Sequence, residues 1–135
     1  MKLELCCLLV EDDPDDQEFF FETLHTVLPD AGCYAVSNGE EALRILLEEN
    51  FAPDFIFTDL NMPKMGGLEF LQTIKKIETF KNIPVVVYTA DYSQEDVAVT
   101  KRLGAAGIFS KTRRNALEEI LKRYLIQSPR KSTVH

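Results

Sequence analysis

The sequence contains no apolar run approaching the roughly 20 residues that a membrane-spanning helix needs. No membrane association is therefore expected. The opening Met1-Lys2-Leu3-Glu4-Leu5 carries one positive charge and then an acid, and the apolar stretch after it ends in acids, not at a small-residue cleavage site. It does not read as a secretory signal, and a cytoplasmic location is expected. Cysteine is scarce. Cys6, Cys7 and Cys33 are odd in number and lack metal-ligand spacing, so they read as small apolar core residues. Low-complexity segments and interdomain linkers are missing too, and 135 residues are too few for two domains with full cores. Bases are nearly missing from residues 1–30, which hold nine acids and Lys2 alone, whereas residues 101–135 hold nine bases and two acids. Such asymmetry fits an interaction surface or an ordinary solvated helix face equally well. No nucleic-acid motif accompanies the basic stretch, so no nucleic-acid partner is expected.

What is present is alternation. Leu5-Cys6-Cys7-Leu8-Leu9-Val10 is a continuous apolar run, as in a strand buried on both faces. Asp13 then stands as a helix cap with Pro14 in the first turn, followed by Phe20, Leu24, Val27 and Leu28 at helical spacing. Cys33 to Val36 reads as a strand. Asn38 and Glu41 suggest a capping box before a helical stripe of Ala42, Leu43, Leu46 and Leu47. Phe55 to Thr58 is a third strand, with Leu68, Leu71, Ile74 and Ile77 as the next helix face. Ile83 to Tyr88 is a fourth strand, with Pro84 tolerable only near its start. Ser93 and Asp96 can cap a helix whose apolar face, Val97 and Leu103, is thin. Gly107 to Ser110 is the fifth strand, and Leu117, Ile120, Leu121, Tyr124 and Leu125 make the last helix face. Residues 128–135 form a short polar tail expected to be disordered. In the run Phe19-Phe20-Phe21, successive residues point about 100° apart on a helix, so all three cannot face the core and at least one is expected at the surface.

Five strands alternating with five helices imply an α/β fold, a doubly wound parallel sheet covered on both faces. Ligands in such sheets bind beyond the carboxyl ends of the strands. There the sequence places Glu11-Asp12-Asp13 after strand one, Asp59 after strand three, Thr89-Ala90 at strand four and Lys111 after strand five. Clustered carboxylates repel one another unless a cation sits among them. Oxygen-only ligands suit a hard ion such as Mg²⁺, and a lysine ammonium suits phosphoryl oxygen. A carboxylate can itself be a nucleophile and form an acyl phosphate.

These pieces resemble the receiver domains of two-component response regulators. The resemblance spans roughly residues 3–125 and rests on Leu8-Leu9-Val10-Glu11-Asp12-Asp13-Pro14, the run from Asp54 to Gly67 around Asp59, Val85-Val86-Val87-Tyr88-Thr89-Ala90, and Gly104 to Lys111. It implies a flavodoxin-like sheet of order 2-1-3-4-5, with a receiver domain over residues 1–127. It further implies Asp59 as phosphoryl acceptor, Lys111 and Thr89 as its phosphoryl contacts, and Asp12 as a direct Mg²⁺ ligand. Glu11 would reach the metal through water and Asn61 through its backbone carbonyl, while Asn61 and Asp91 would tune the phosphoryl lifetime. A sensor histidine kinase or phosphotransfer protein would be the donor. With about ten residues after the last helix, the expected output is docking to a downstream protein or onward transfer, not a dedicated enzymatic activity, and a homodimer stays open. The runners-up are a receiver-shaped interaction module that takes no phosphate and an aspartyl-phosphate phosphohydrolase. The acceptor set argues against the first; strand one lacks the spacing of a nucleophile and a second Asp, and no cap domain is expected, which argues against the second. Three positions depart from the family pattern. Thr112 stands where Pro, often cis, is usual, which would allow a trans loop and a displaced Lys111. Ile108 stands at the place of a switching aromatic with Phe109 next to it, and Gly66 replaces a common Asp.

Overall fold

The computed structural model describes residues 5–49, 51–112 and 116–126. The expected tail 128–135 and the bases Arg113, Arg114, Arg130 and Lys131 lie outside them. Five strands, β1 (Cys6–Val10), β2 (Gly32–Val36), β3 (Phe55–Thr58), β4 (Val85–Thr89) and β5 (Gly107–Ser110), alternate with α1 (Pro14–Val27), α2 (Gly39–Glu48), α3 (Gly67–Ile74), α4 (Gln94–Arg102) and α5 (Ala116–Leu121). The sheet order is β2-β1-β3-β4-β5 and every pairing is parallel, as expected. The last helix continues through Lys122–Ile126 with wider π-type winding.

Alternate residues of the central strands serve two cores. Cys7, Leu9, Phe55, Phe57, Val86 and Tyr88 meet Phe20 and Leu24 of α1 and Leu117, Ile120 and Leu121 of α5. Leu8, Val10, Ile56 and Val85 meet Ala42, Ile45 and Leu46 of α2 and Phe70, Leu71 and Ile74 of α3. Each fully buried side chain of this size contributes about 1.5–3 kcal/mol, so the central strands are the most firmly held part of the molecule. This matters because the site grows from their ends.

Several local expectations change. On α2 the buried stripe is Ala42, Ile45 and Leu46, at i, i+3 and i+4, while Leu43 is only partly covered and Leu47 is 58% exposed. Glu41 reaches back to the Ser37 amide, one residue before the Asn38 cap. Ile77 packs from the turn beyond α3, and the buried Phe70 does more for that face. The fourth strand begins at Val85, because Pro84 has no N–H to give to a ladder and offers only its carbonyl, to the Ile56 amide. Phe20 is buried and stacks at a tilt on Phe57, 5.1 Å between centroids, but Phe19 and Phe21 are half-buried, so none of the three is fully exposed. The Ser93/Asp96 box is reciprocal, as expected. Thr100 is the one buried residue of α4, so this helix is the least anchored of the five.

Candidate functional site

The geometry of the site follows from the sheet ladder running one residue past each central strand. Val10 and Thr58 are register partners, and the next amide, Asp59 N, donates to the Val10 carbonyl at 3.0 Å. Glu11 N donates to Val36 O at 2.9 Å. Thr89 pairs with Ser110, and Lys111 N donates to Thr89 O at 2.8 Å. Glu11, Asp59, Thr89 and Lys111 are therefore fixed by backbone pairing at one edge, from four strands distant in sequence.

Their side chains converge. Asp59 is buried, and its Oδ1 accepts from the Leu60 amide (2.6 Å), the Thr89 hydroxyl (2.5 Å) and the Asn61 amide (3.3 Å). Its Oδ2 accepts from Lys111 Nζ at 3.0 Å. Lys111 also donates to Glu11 Oε1 at 2.5 Å and to Asp16 Oδ2 at 2.9 Å. Glu11, Asp12 and Asp59 each offer a carboxylate oxygen, and the three lie within 4.8 Å of one another. Asp12 is exposed while the other two are buried, so the cluster opens to solvent on one side. Asn61 is exposed and enters the site through its amide, and Asp91 lies exposed two residues past Thr89.

Charge is unbalanced here. Burial lifts the Glu11 carboxyl to about 7, outweighing its bond to Lys111, which lowers it, and the nearby Asp59 raises it further. For Lys111, burial pulls the ammonium down, but its bonds to Glu11, Asp16 and Asp59 reverse this and leave it above the ordinary lysine range. One cation thus serves three carboxylates, with Asp12 beside them.

The loop after Asp59 is held by close backbone approach. A Cβ on Gly67 would meet the Asp59 carbonyl oxygen at 2.1 Å, so only glycine fits where α3 begins. Lys64 takes a left-handed conformation, φ 64°, at the turn of this loop. No peptide bond among the described residues is cis. The loop at Thr112 is accordingly trans, yet Lys111 reaches Asp59. Ile108 and Phe109 are both half-buried; Phe109 meets Tyr124 edge-on at 6.1 Å under the Arg123 guanidinium, 5.8 Å from the ring centroid.

All six expected site residues thus gather at one edge. Two contributors were not singled out from the sequence. Asp16 lay hidden in an acidic run that reads as a helix start, and Gly67 gives no signal of close approach without its neighbour in space.

The response regulator receiver domain model matches residues 7–123. The chain is 35% identical over 98 residues to the probable C4-dicarboxylate response regulator DctR of Bacillus subtilis, covering 73% of this chain and 42% of that protein, so it spans less than half of that relative's length. It is 34% identical over 111 residues to the response regulator Rcp1 of Synechocystis, covering 78% of this chain and 76% of Rcp1. The crystal structure of Mn²⁺-bound Rcp1 superimposes with a TM-score of 0.84 over 97% of each chain at 30% identity. That of the phosphorylated cyanobacterial phytochrome response regulator RcpA gives 0.86 over 93% of this chain and 96% of that one, at 28% identity. With the matched model covering nearly the whole sheet and its carboxylate-lined edge, the chain belongs to the response regulator receiver domain family.

Proposed function

We propose that this chain is a phospho-accepting signalling switch in which Asp59 takes a phosphoryl group from a sensor histidine kinase or phosphotransfer protein. The observation that carries the reading is the asymmetric setting of the Asp59 carboxylate. One oxygen is held by two amides and the Thr89 hydroxyl, and the other faces Lys111. A carboxylate oxygen attacks phosphorus, the bond from phosphorus to the donor's leaving group breaks, and that group departs with the electron pair. The product is an acyl phosphate on Asp59, which water later hydrolyses. The Lys111 ammonium and the Thr89 hydroxyl would donate to phosphoryl oxygens, and catalysis here is mainly positioning and charge neutralisation.

The donor set of Glu11, Asp12 and Asp59 is all oxygen and rich in negative charge, which fits a hard divalent cation such as Mg²⁺. Asp12 and Asp59 would hold it directly, Glu11 through water and Asn61 through its backbone carbonyl. When bound, the ion would neutralise phosphoryl charge and relieve the repulsion that one lysine cannot balance. Mn²⁺-bound Rcp1 and phosphorylated RcpA, both similar folds, support this reading.

The acceptor catalyses its own phosphorylation and dephosphorylation, and the output is docking to a downstream protein or onward transfer. Recruitment of Thr89 to a phosphoryl group would draw on α4, whose anchoring is the weakest. A cytoplasmic setting is part of the proposal; no helix among the described residues is long and apolar enough to cross a membrane. The test is incubation with Mg²⁺ and acetyl phosphate followed by intact mass. One phosphoryl adduct is expected, lost in Asp59→Asn; a folded wild-type protein that gains none refutes the switch.

A further inference from the structure

Lys111 carries three ammonium donors, and in this structure each has a carboxylate: Glu11 at 2.5 Å, Asp16 at 2.9 Å and Asp59 at 3.0 Å. These partners differ in what else they are asked to do. Glu11 and Asp59 belong to the carboxylate cluster that suits a cation, and Asp59 is the proposed acceptor. Asp16 stands outside that cluster, on the first turn of α1, with its side chain 35% exposed. Its backbone is itself fixed, since the Asp16 amide donates to the Asp13 cap at 3.3 Å. Among the described partners of Lys111, Asp16 alone is engaged neither by the cation site nor by the arriving phosphoryl group.

Lysine is a point charge on a flexible four-carbon stem, and such a group contributes most when it is already in place. Its main chain is held by the bond to Thr89 O, but that leaves the stem free. We infer that Asp16 is a positioning residue that holds the Lys111 ammonium beside Asp59 while Glu11 turns to the metal and Asp59 reacts. The inference rests on the acceptor reading of Asp59 but is separable from it by experiment.

Asp15 provides the control. It lies in the same turn, is exposed, and carries the same charge relative to the helix end. Two measurements are made on wild type, Asp16→Asn and Asp15→Asn, each confirmed as folded by its melting curve. The first is acetylation of the Lys111 amine by acetic anhydride with saturating Mg²⁺ and no phosphodonor, read by peptide mass mapping. Asp16→Asn should raise Lys111 labelling several-fold and Asp15→Asn should leave it at the wild-type level. The second is the initial rate of phosphoryl uptake from acetyl phosphate with Mg²⁺. Asp16→Asn should slow it about fivefold, the weight of one partly exposed hydrogen bond between charged groups, with Asp15→Asn near wild type. Unchanged labelling and uptake in Asp16→Asn, or equal changes in Asp15→Asn, overturn the role of Asp16 and leave the acceptor reading standing. Raised labelling with a wild type that takes up no phosphoryl group overturns the acceptor reading, and with it the role of Asp16 in phosphorylation.

Discussion

Glu11 makes the metal-free protein sensitive to pH in a direction opposite to most carboxylates. Its folded-state value of about 7 lies well above the ordinary 4.5 because burial disfavours the charged form more than Lys111 favours it. The folded protein therefore holds a proton that the unfolded chain has released. Below about 4.5 both states are protonated and the full stability contribution is present; it is lost as pH rises through about 7. At 1.36 kcal/mol per pH unit, the separation is worth on the order of 3 kcal/mol. Glu11→Gln keeps the shape and cannot ionise, so it isolates this effect from every other titrating group. The assay is urea unfolding of both proteins with EDTA at steps from pH 5 to pH 8. The stability of wild type relative to Glu11→Gln should fall by about 2.5 kcal/mol across that window, since part of the full separation is already lost at pH 5. Saturating Mg²⁺ should narrow the gap most at pH 8, where Glu11 is ionised and able to serve the cation. A difference between the two proteins that stays flat with pH would refute the reasoning, because it would mean that Glu11 is already charged throughout.

Other consequences are simpler to read. Gly67→Ala drives a Cβ into the Asp59 carbonyl, where only backbone can give way; it should lower stability by about 3 kcal/mol by urea midpoint. Asp12→Asn removes one charge from the crowded cluster, so it should raise the melting temperature in EDTA and reduce the gain from Mg²⁺. Wild type should gain about 2.7 kcal/mol when Mg²⁺ is a hundredfold above its Kd, and a melting curve insensitive to Mg²⁺ would count against the cation site. Thr89→Val keeps the buried shape but strips a donor from Asp59 Oδ1, and should cost about 1 kcal/mol in the same unfolding assay.

The sheet was legible because its central strands β1, β3 and β4 are apolar runs, the composition that a strand buried on both faces requires. The edge that carries the candidate site followed, since the ladder carries Glu11, Asp59 and Lys111 one residue beyond each strand. Thr89 needed no inference beyond its place at the end of β4. What stayed hidden depends on spatial neighbours. Leu47 and Ile45 are equally apolar, and only the packing of α2 on α3 decides which is buried. Asp16 is one acid among several until Lys111, just past β5, is seen donating to it at the start of α1. Gly67 marks a close approach of two backbones that only the neighbouring Asp59 carbonyl in space reveals. Thr112 suggested a displaced Lys111, yet the trans loop still delivers the ammonium, because the bond from Lys111 N to Thr89 O sets its origin.

The most direct test of Asp59 as acceptor is chemical. Protein treated with acetyl phosphate and Mg²⁺ is reduced with borohydride, which converts an aspartyl phosphate to homoserine, and the peptides are sequenced by mass spectrometry. Homoserine should appear at position 59, only after phosphodonor treatment. Homoserine at another carboxylate, or none in folded protein, would contradict the account.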